Sequence, residues 1–219
     1  MASLTIENYL KTIYQISGAA DTPALTGQLA SALQVAPGTV TSMLRTLSES
    51  GLAQYTPYEG VRLTEAGKAL ALRVVRRHRL IELFLVRTLH LSWDEVHAEA
   101  ENMEHAVSDW LVDRIDQVLG FPSTDPHGDP IPRADGTIKV AEGMPLDEWP
   151  VGKRFQLQRV LDQSSEFLRY LAETGLRLGA EGILKTHRTE AGLLVIGVDN
   201  AEQNISRDSA RKLLVVHPS

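Results

Sequence analysis

The pattern of apolar and polar positions in the N-terminal third predicts three short helices and a hairpin. Apolar residues recur every three or four positions from Ile6 to Ile16, which is typical of an amphipathic helix. Two further helical stretches, 25–33 and 39–50, are separated by VAPG, and this arrangement predicts a helix-turn-helix. Short strands are predicted at 52–55 and 61–64, joined through Pro57 to Gly60. The order of these elements predicts a winged helix.

The middle of the chain predicts two longer helices. One runs from Thr64 to about His90, and the other spans about Trp93 to Leu119 with Ser92 as its N-cap. The segment FPSTDPHGDPIPRADG then ends the helical periodicity. From Phe155 onwards, short apolar runs divided by glycine predict a small β-barrel that carries one helical turn at 166–174.

These patterns predict a mainly α fold with small β parts. We expect a winged-helix DNA-binding domain at 1–72 and a helical dimerisation and metal-binding domain at 73–140. A linker at 141–154 is expected to lead to a C-terminal barrel at 155–219.

Composition narrows the chemistry that the chain can perform. The 219 residues include no cysteine, so any bound metal must be held by nitrogen and oxygen. The net charge of -6 argues against a protein that coats nucleic acid through bulk charge, although it allows a local basic surface. No apolar run is long enough to cross a bilayer and the N-terminus lacks a leader pattern, so we expect a cytoplasmic protein without membrane contacts.

Histidines and carboxylates share faces on the two middle helices. His78 and Glu82 are four residues apart on the first helix, and the second helix carries a similar set: His97, Glu101, Glu104 and His105. If these faces pack together, the carboxylates repel one another where water is scarce, and a divalent cation is their natural partner. Nitrogen and oxygen donors suit Mn²⁺ or Fe²⁺, and Zn²⁺, Co²⁺ or Cd²⁺ can substitute in vitro.

A simpler interpretation of the same residues remains open. A single His-x-x-x-Glu pair is usually a surface hydrogen bond, and the run HAEAENMEH can be a solvated acidic face. Two such faces on consecutive helices, directly behind a winged helix, favour the metal interpretation. The other histidines are interpreted as structural or exposed: His90, His127, His187 and His217.

The predicted helix-turn-helix offers a modest set of DNA contacts. Base and phosphate contacts are expected from the second helix and the turn before it, at Ala36, Pro37, Gly38, Thr39, Thr41, Ser42 and Arg45. Further phosphate anchoring is expected from Thr26, Gln28 and Arg62. Because one such module binds weakly, we expect a homodimer that places two recognition helices about 34 Å apart on a pseudo-palindromic duplex.

Several motifs together resemble the diphtheria toxin repressor and manganese transport regulator family of metal-dependent repressors. They are IENYLKTIY, APGTVTSMLRTLSESGL, LTEAGKALALRVVRRHRLIELFL, EVHAEAENMEHAVSD and GDPIP. The resemblance covers almost the whole chain. It implies a winged helix, a helical dimerisation domain with two metal sites, and a C-terminal SH3-like barrel of the kind found in ferrous-iron transport proteins. It also implies a homodimeric repressor of metal-uptake genes.

The resemblance also implies ligands. One site would use Glu101, Glu104 and His105 with a residue of the first helix, either Asn8 or Glu7. The other would use His78, Glu82 and His97, with help from Gln163 and Glu166 of the barrel. Iron-responsive members tend to have cysteine where this chain has Glu101, and the harder carboxylate favours manganese.

Two other functions share some of these sequence features. A di-metal carboxylate enzyme would need a Glu-x-x-His pair on each of two helices, and the chain shows neither spacing. A metal-independent winged-helix regulator with a small-molecule pocket would leave the shared faces of carboxylates and imidazoles unexplained. We therefore expect neither enzymatic activity nor a small organic ligand.

Overall fold

The computed structural model describes residues 3–18, 20–139, 142–199 and 201–218. It divides into two compact units, and each is described by itself. The first unit comprises residues 1–78 with 132–137, and the second comprises residues 79–131 with 138–219.

The first unit is a winged helix. Its elements are α1 (Leu4–Ser17), α2 (Thr26–Leu33), α3 (Pro37–Glu49), β1 (Ala53–Thr56) and β2 (Gly60–Leu63). The two strands pair antiparallel. Ala24 and Val61 exchange two backbone hydrogen bonds of 2.9 Å, so the chain before α2 adds to the hairpin. The order of elements predicted from the sequence is confirmed, with bounds shifted by one or two residues.

Local chemistry explains the turn between α2 and α3. Gln34 ends α2 in the left-handed conformation with φ 53°, and Pro37 starts α3, where its missing N–H costs nothing. The apolar faces of these helices meet in a hydrocarbon core whose fully buried members include Leu10, Ile13, Leu29, Leu44, Leu47 and Val61.

Helix α4 (Glu65–Leu89) begins in the first unit and ends in the second. Its first turn lies against the chain that leads into the hairpin. A Cβ at Gly67 would be 1.9 Å from the carbonyl oxygen of Leu52, so only glycine permits this approach.

The second unit contains a break that the sequence pattern did not reveal. Instead of one helix from about Trp93 to Leu119, it has α5 (Val96–Met103) and α6 (Asp109–Val118). Ser108 is extended, with φ -72° and ψ 151°, and its side chain accepts a hydrogen bond from the backbone N–H of Leu111 at 3.3 Å. This N-cap starts a new helix. The prediction of one continuous helical face was therefore wrong, and Glu104 and His105 lie in the turn between two helices.

The barrel follows within the second unit. Its strands are β3 (Met144–Pro145), β4 (Arg154–Val160), β5 (Glu181–Arg188), β6 (Leu193–Val198), β7 (Ala201–Ser206) and β8 (Leu213–Val216), in the antiparallel order β3-β8-β4-β5-β6-β7. The helices α7 (Ser165–Glu173) and α8 (Arg207–Ala210) complete it. Alternate strand residues fill a core that includes Phe155, Leu157, Leu184, Ile196 and Leu213. Strand β3 lies inside the range predicted as linker, and the domain bounds themselves stay predictions.

Among the described residues, none of the helices combines the length and the apolar character needed to span a bilayer.

Candidate metal centre

Glu82 of α4 is the centre of a buried polar cluster in the second unit. Its side chain is 1% exposed, and its two oxygens face different imidazoles. Oε1 lies 3.2 Å from Nδ1 of His97 on α5, and Oε2 lies 3.8 Å from Nδ1 of His127. His78 is also buried and precedes Glu82 by about one turn of the same helix, so the two side chains share a helical face.

His127 belongs to a tight loop, Asp125–Asp129, which we call the DPHGD loop. Oδ1 of Asp125 closes this loop by accepting the backbone N–H groups of His127 at 2.8 Å and Asp129 at 2.9 Å. The imidazole lies flat against Trp93, with ring centroids 6.2 Å apart, and its Nε2 is 2.8 Å from the carbonyl oxygen of Trp93. Because a carbonyl only accepts, Nε2 carries a proton, and Nδ1 is the ring nitrogen that faces Glu82.

The resulting arrangement fits a divalent cation. One donor atom from each of Glu82, Asp125 and His127 lies within 4.8 Å of the others, and all three residues are buried. Among the described residues, neither Nδ1 of His127 nor Oδ2 of Asp125 has a hydrogen-bond partner. Buried lone pairs and carboxylates that face one another are costly, and a cation with nitrogen and oxygen ligands satisfies them together.

The pKa of Asp125 shows how burial and neighbouring charges affect an acidic group of this cluster. Burial, followed by the charges of Asp129 and Glu82, raises the pKa of Asp125 to about 8, and Arg79 opposes this shift. Nε of Arg79 lies 3.6 Å from Oδ2 of Asp125, and its Nη1 donates to the carbonyl oxygen of Pro130 at 2.5 Å. A second guanidinium, that of Arg159, pairs with Asp129, so burial remains the main cause of the raised pKa of Asp125.

The sequence pattern did not identify Asp125 and His127 as donors. His127, interpreted as structural or exposed, is completely buried. The available signal was the Asp-x-His spacing inside a loop otherwise made of proline and glycine, which places two donor residues on one short rigid turn.

A second set of predicted ligands lies around the end of α5. Glu104 is completely buried, and its Oε1 is 3.1 Å from Nε2 of His105. Glu101 is half-buried, and its Oε1 is 3.8 Å from Nε2 of His97. The structure thus brings Glu104 and His105 together in the turn, while Glu101 faces His97 on the helix.

The first unit distinguishes the two candidate ligands on α1. Oε2 of Glu7 lies 3.5 Å from Nη1 of Arg77, so its carboxylate is committed to an ion pair. Oδ1 of Asn8 is buried and has no hydrogen-bond partner among the residues that the structure describes. The amide oxygen of Asn8 is therefore the better donor, as a hard ligand that is otherwise unsatisfied.

The two barrel residues predicted as ligands, Gln163 and Glu166, have different surroundings. Nε2 of Gln163 donates to Oδ2 of Asp129 at 2.7 Å, which ties it to the DPHGD loop. Glu166 is exposed in the first turn of α7. Their ligation of a metal stays a prediction.

The predicted DNA contacts lie on the surface of the first unit. Eight of the ten are exposed, namely Gln28, Ala36, Pro37, Gly38, Thr39, Ser42, Arg45 and Arg62, and two are half-buried, Thr26 and Thr41. Gln28 uses its Oε1 to accept the backbone N–H of Leu25 at 2.8 Å, and the guanidinium of Arg62 contacts Asp21.

The hairpin tip adds an aromatic residue that the sequence analysis did not single out. Tyr58 is fully exposed and has a positive φ of 69°.

An apolar surface is exposed on and just after α6. Its members and exposed fractions are Trp110 at 71%, Leu111 at 43%, Val118 at 71% and Phe121 at 57%. Several large apolar side chains on one short helix exceed the scattered exposure that is normal on a monomer surface.

Most of the chain matches known protein families. Residues 1–61 match the iron-dependent repressor N-terminal DNA-binding domain, and residues 64–133 match the iron-dependent repressor metal-binding and dimerisation domain. Residues 144–217 match the FeoA domain.

Similar curated proteins are repressors. The iron-dependent repressor IdeR of Mycobacterium tuberculosis is 41% identical over 139 residues, which cover 64% of this chain and 59% of that protein. The IdeR of Mycobacterium leprae is 32% identical over 210 residues, which cover 90% of each chain.

Solved structures show the same fold. A manganese-dependent transcriptional repressor in complex with manganese is 38% identical, with a TM-score of 0.89, and the match covers 97% of this chain and 100% of that one. ScaR with bound Zn²⁺ is 33% identical, with a TM-score of 0.82 and coverage of 97% and 99%. These relatives are transcriptional repressors rather than enzymes. The chain belongs to the iron-dependent repressor and diphtheria toxin repressor family.

Proposed function

We propose that this chain is a homodimeric, metal-dependent transcriptional repressor that binds palindromic operators of metal-uptake genes. Mn²⁺ is its proposed co-repressor, with Fe²⁺ as the second candidate. The observation that carries the proposal is the buried convergence of Glu82, Asp125 and His127 in a protein whose first unit is a winged helix.

We propose two groups of metal ligands. The first consists of Asn8, Glu101, Glu104 and His105. The second consists of His78, Glu82, His97, Asp125 and His127. The second group adds Asp125 and His127 to the helical ligands implied by family resemblance, because the DPHGD loop presents these two donors to Glu82.

A divalent cation, when bound, supplies the positive charge that offsets the mutual repulsion of these carboxylates. The protein's own residues do the rest. Glu82 orients both of its oxygens between α5 and the DPHGD loop, and Trp93 fixes the tautomer of His127. Asn8 is a residue of the DNA-binding unit, so its ligation would make the tilt of the recognition helix depend on the metal. Metal and operator then bind cooperatively through one conformation.

Recognition of DNA is assigned to α3 and the hairpin. The exposed hydroxyls of Thr39 and Ser42 and the guanidinium of Arg45 lie on the solvent side of α3, opposite its buried Val40 and Leu44. Only one of these three side chains is an arginine, so we expect few bidentate base contacts, and DNA shape and phosphate contacts share the readout.

Dimerisation is assigned to the exposed apolar surface of α6. Two copies of a surface centred on Trp110 can cover each other in a two-fold interface, which removes this hydrocarbon from water. The match to a metal-binding and dimerisation domain over residues 64–133 supports this assignment.

Manganese is favoured by chemistry and by relatives. Every proposed ligand offers oxygen or imidazole nitrogen, which suits hard divalent ions. Among the similar structures, one is a manganese-dependent repressor in complex with manganese, while others hold Zn²⁺ or Cd²⁺.

The test is a metal titration of DNA binding. Operator duplexes are selected from a random library with the Mn²⁺-loaded protein, and affinity is measured by fluorescence anisotropy with Mn²⁺ or with chelator. We expect tight binding only with Mn²⁺. Glu104→Ala should abolish the metal response, whereas Glu99→Ala, which removes an exposed carboxylate of α5, should leave it intact. Equal affinity of the wild-type protein with chelator and with Mn²⁺ would refute the proposal.

A further inference from the structure

The DPHGD loop contacts strand β4 of the barrel. Binding of a metal by Asp125 and His127 does not by itself require this contact. We propose that β4 and the residues after it position the second metal site, by holding the loop so that Asp125 and His127 face Glu82. This inference rests on the proposed function, because it assumes that those side chains bind a cation. It assigns the barrel a role that acts through the loop, distinct from ligation by the barrel's own side chains.

Backbone contacts join the loop to the strand closely. The carbonyl oxygen of His127 accepts the backbone N–H of Val160 at 2.9 Å, next to the imidazole that faces Glu82. Gly128 has a φ of +87°, and a Cβ there would be 2.1 Å from the carbonyl oxygen of Gln158. Only glycine allows both this conformation and this approach. The loop therefore cannot move towards the strand, and moving away from it breaks the bond to Val160.

Strand β4 is shaped for this contact. Its pairing with β8 shifts register between Leu157 and Arg159, so Gln158 occupies a bulge. Bulges re-aim the groups around them and often occur beside functional sites. Here the bulge directs the carbonyl of Gln158 towards Gly128 and the side chain of Arg159 towards Asp129.

Two side chains of the barrel bind Asp129, the last residue of the loop. The guanidinium of Arg159 forms an ion pair with Asp129, and Nε2 of Gln163 donates to Oδ2 of Asp129 at 2.7 Å. The backbone N–H of Asp129 in turn donates to Oδ1 of Asp125 at 2.9 Å. A displacement of Asp129 would therefore shift the carboxylate of Asp125 through this one hydrogen bond.

This arrangement makes Gln163 a positioning residue. Its amide nitrogen is bonded to Asp129, which gives it an effect on the cation through the loop. Groups that orient metal ligands typically change metal affinity by about 10- to 100-fold when they are removed. We expect effects at the lower end, because Arg79 holds the loop independently from α4.

The first experiment displaces the loop without changing charge. Full-length, chelator-stripped protein is titrated with Mn²⁺ by calorimetry, and the class of site lost in His127→Ala identifies the Glu82 site. Gly128→Ala should weaken that class about tenfold and leave the other class unchanged. Gly152→Ala is the matched control, since Gly152 has a φ of +80° but open space around its Cβ, and it should bind Mn²⁺ as the wild type does.

A milder variant tests the same inference in case Gly128→Ala does not fold. Gln163→Ala removes one side-chain hydrogen bond at the surface and should weaken the same class of site by a few fold. If Gln163 acts through Asp129, the double variant Gln163→Ala with Asp129→Ala should bind Mn²⁺ as Asp129→Ala alone does. Additive losses would show independent ligation by Gln163 and would overturn the inference.

The outcomes separate this inference from the proposed function. If the wild-type protein binds no Mn²⁺, both fail. If the wild-type protein binds Mn²⁺ at two classes of site, and Gly128→Ala and Gln163→Ala leave both affinities unchanged, only the positioning role of β4 is refuted.

Discussion

Leu10, Leu29 and Leu44 fill the interior of the winged helix with hydrocarbon, whereas Glu82, Asp125 and His127 fill the space beside α5 with charges and lone pairs. The first interior is stable because water is excluded from apolar surface. The second is costly for the same reason, since buried carboxylates lose their hydration. The comparison teaches that the winged helix is held together by hydrocarbon burial, while the region around Glu82 holds unsatisfied polar atoms that the proposed cation would offset.

The largest expected effect follows from a cavity in the hydrocarbon core of the winged helix. Leu44→Ala removes a fully buried side chain and should lower the free energy of unfolding by about 3 kcal/mol, because it leaves a cavity. Circular dichroism during urea unfolding measures this loss, which should be the same with chelator and with Mn²⁺. Leu4→Ala, at a residue that is 57% exposed, is the control and should cost less than about 0.5 kcal/mol. A loss at Leu44 that Mn²⁺ restores would contradict the comparison.

The next effect concerns the charged interior. Mn²⁺ at about 100 times its dissociation constant should stabilise the second unit by about 2.7 kcal/mol, since it binds only the folded state. The three tryptophans, Trp93, Trp110 and Trp149, all lie in the second unit, so their fluorescence reports its thermal unfolding. His127→Ala should reduce the stabilisation. The idea fails if Mn²⁺ raises the melting temperature of His127→Ala as much as that of the wild type.

A third effect depends on pH in the metal-free protein. The pKa of Asp125 is about 8 in the folded chain, against an ordinary value of 3.8, because of burial and the charges of Asp129 and Glu82. Between these values the folded chain keeps a proton that the unfolded chain has released. Stability is therefore greatest below pH 4 as far as this group is concerned, and falls as the pH rises towards 8.

Asp125→Asn tests this effect. The amide oxygen still accepts the N–H groups of His127 and Asp129, but the side chain no longer titrates. Its urea midpoint in chelator should change less between pH 5 and pH 8 than that of the wild type. Parallel pH profiles for the two proteins would exclude Asp125 as the titrating group.

The smallest effect concerns the helix break that places Glu104 and His105 in a turn. Ser108→Ala removes the N-cap of α6 and should cost about 1 kcal/mol of stability. Ser108→Asp, which restores an acceptor, should recover most of it. If Ser108→Ala is neutral in urea unfolding, another contact holds the break.

The first unit was largely predictable from the sequence because its information is local. The apolar spacing of α1 and the Pro/Gly turn before α3 act within a few residues, and the predicted bounds differ from the observed ones by little. The helix break at Ser108 was missed because the apolar periodicity continues on both sides of it. A single capping hydrogen bond decides the outcome there.

The candidate site could be read from the sequence only where its residues lie on helices. His78, Glu82 and His97 lie on helices, where a spacing of four residues implies a shared face. Asp125 and His127 lie in an irregular loop that meets Glu82 across more than forty residues of sequence. Their orientation depends on the packing of Gly128 against β4, which no periodicity encodes.

The single carboxylate of Glu82 faces two imidazoles at once, and this has an evolutionary consequence. Both oxygens belong to one rigid carboxylate, so the contacts to His97 and to His127 depend on the same side-chain conformation. Substitutions at positions 97 and 127 therefore cannot drift separately. Whether a substitution is tolerated at one position then depends on the residue at the other. Positions 97 and 127 should therefore show epistasis, while Glu82 stays unchanged.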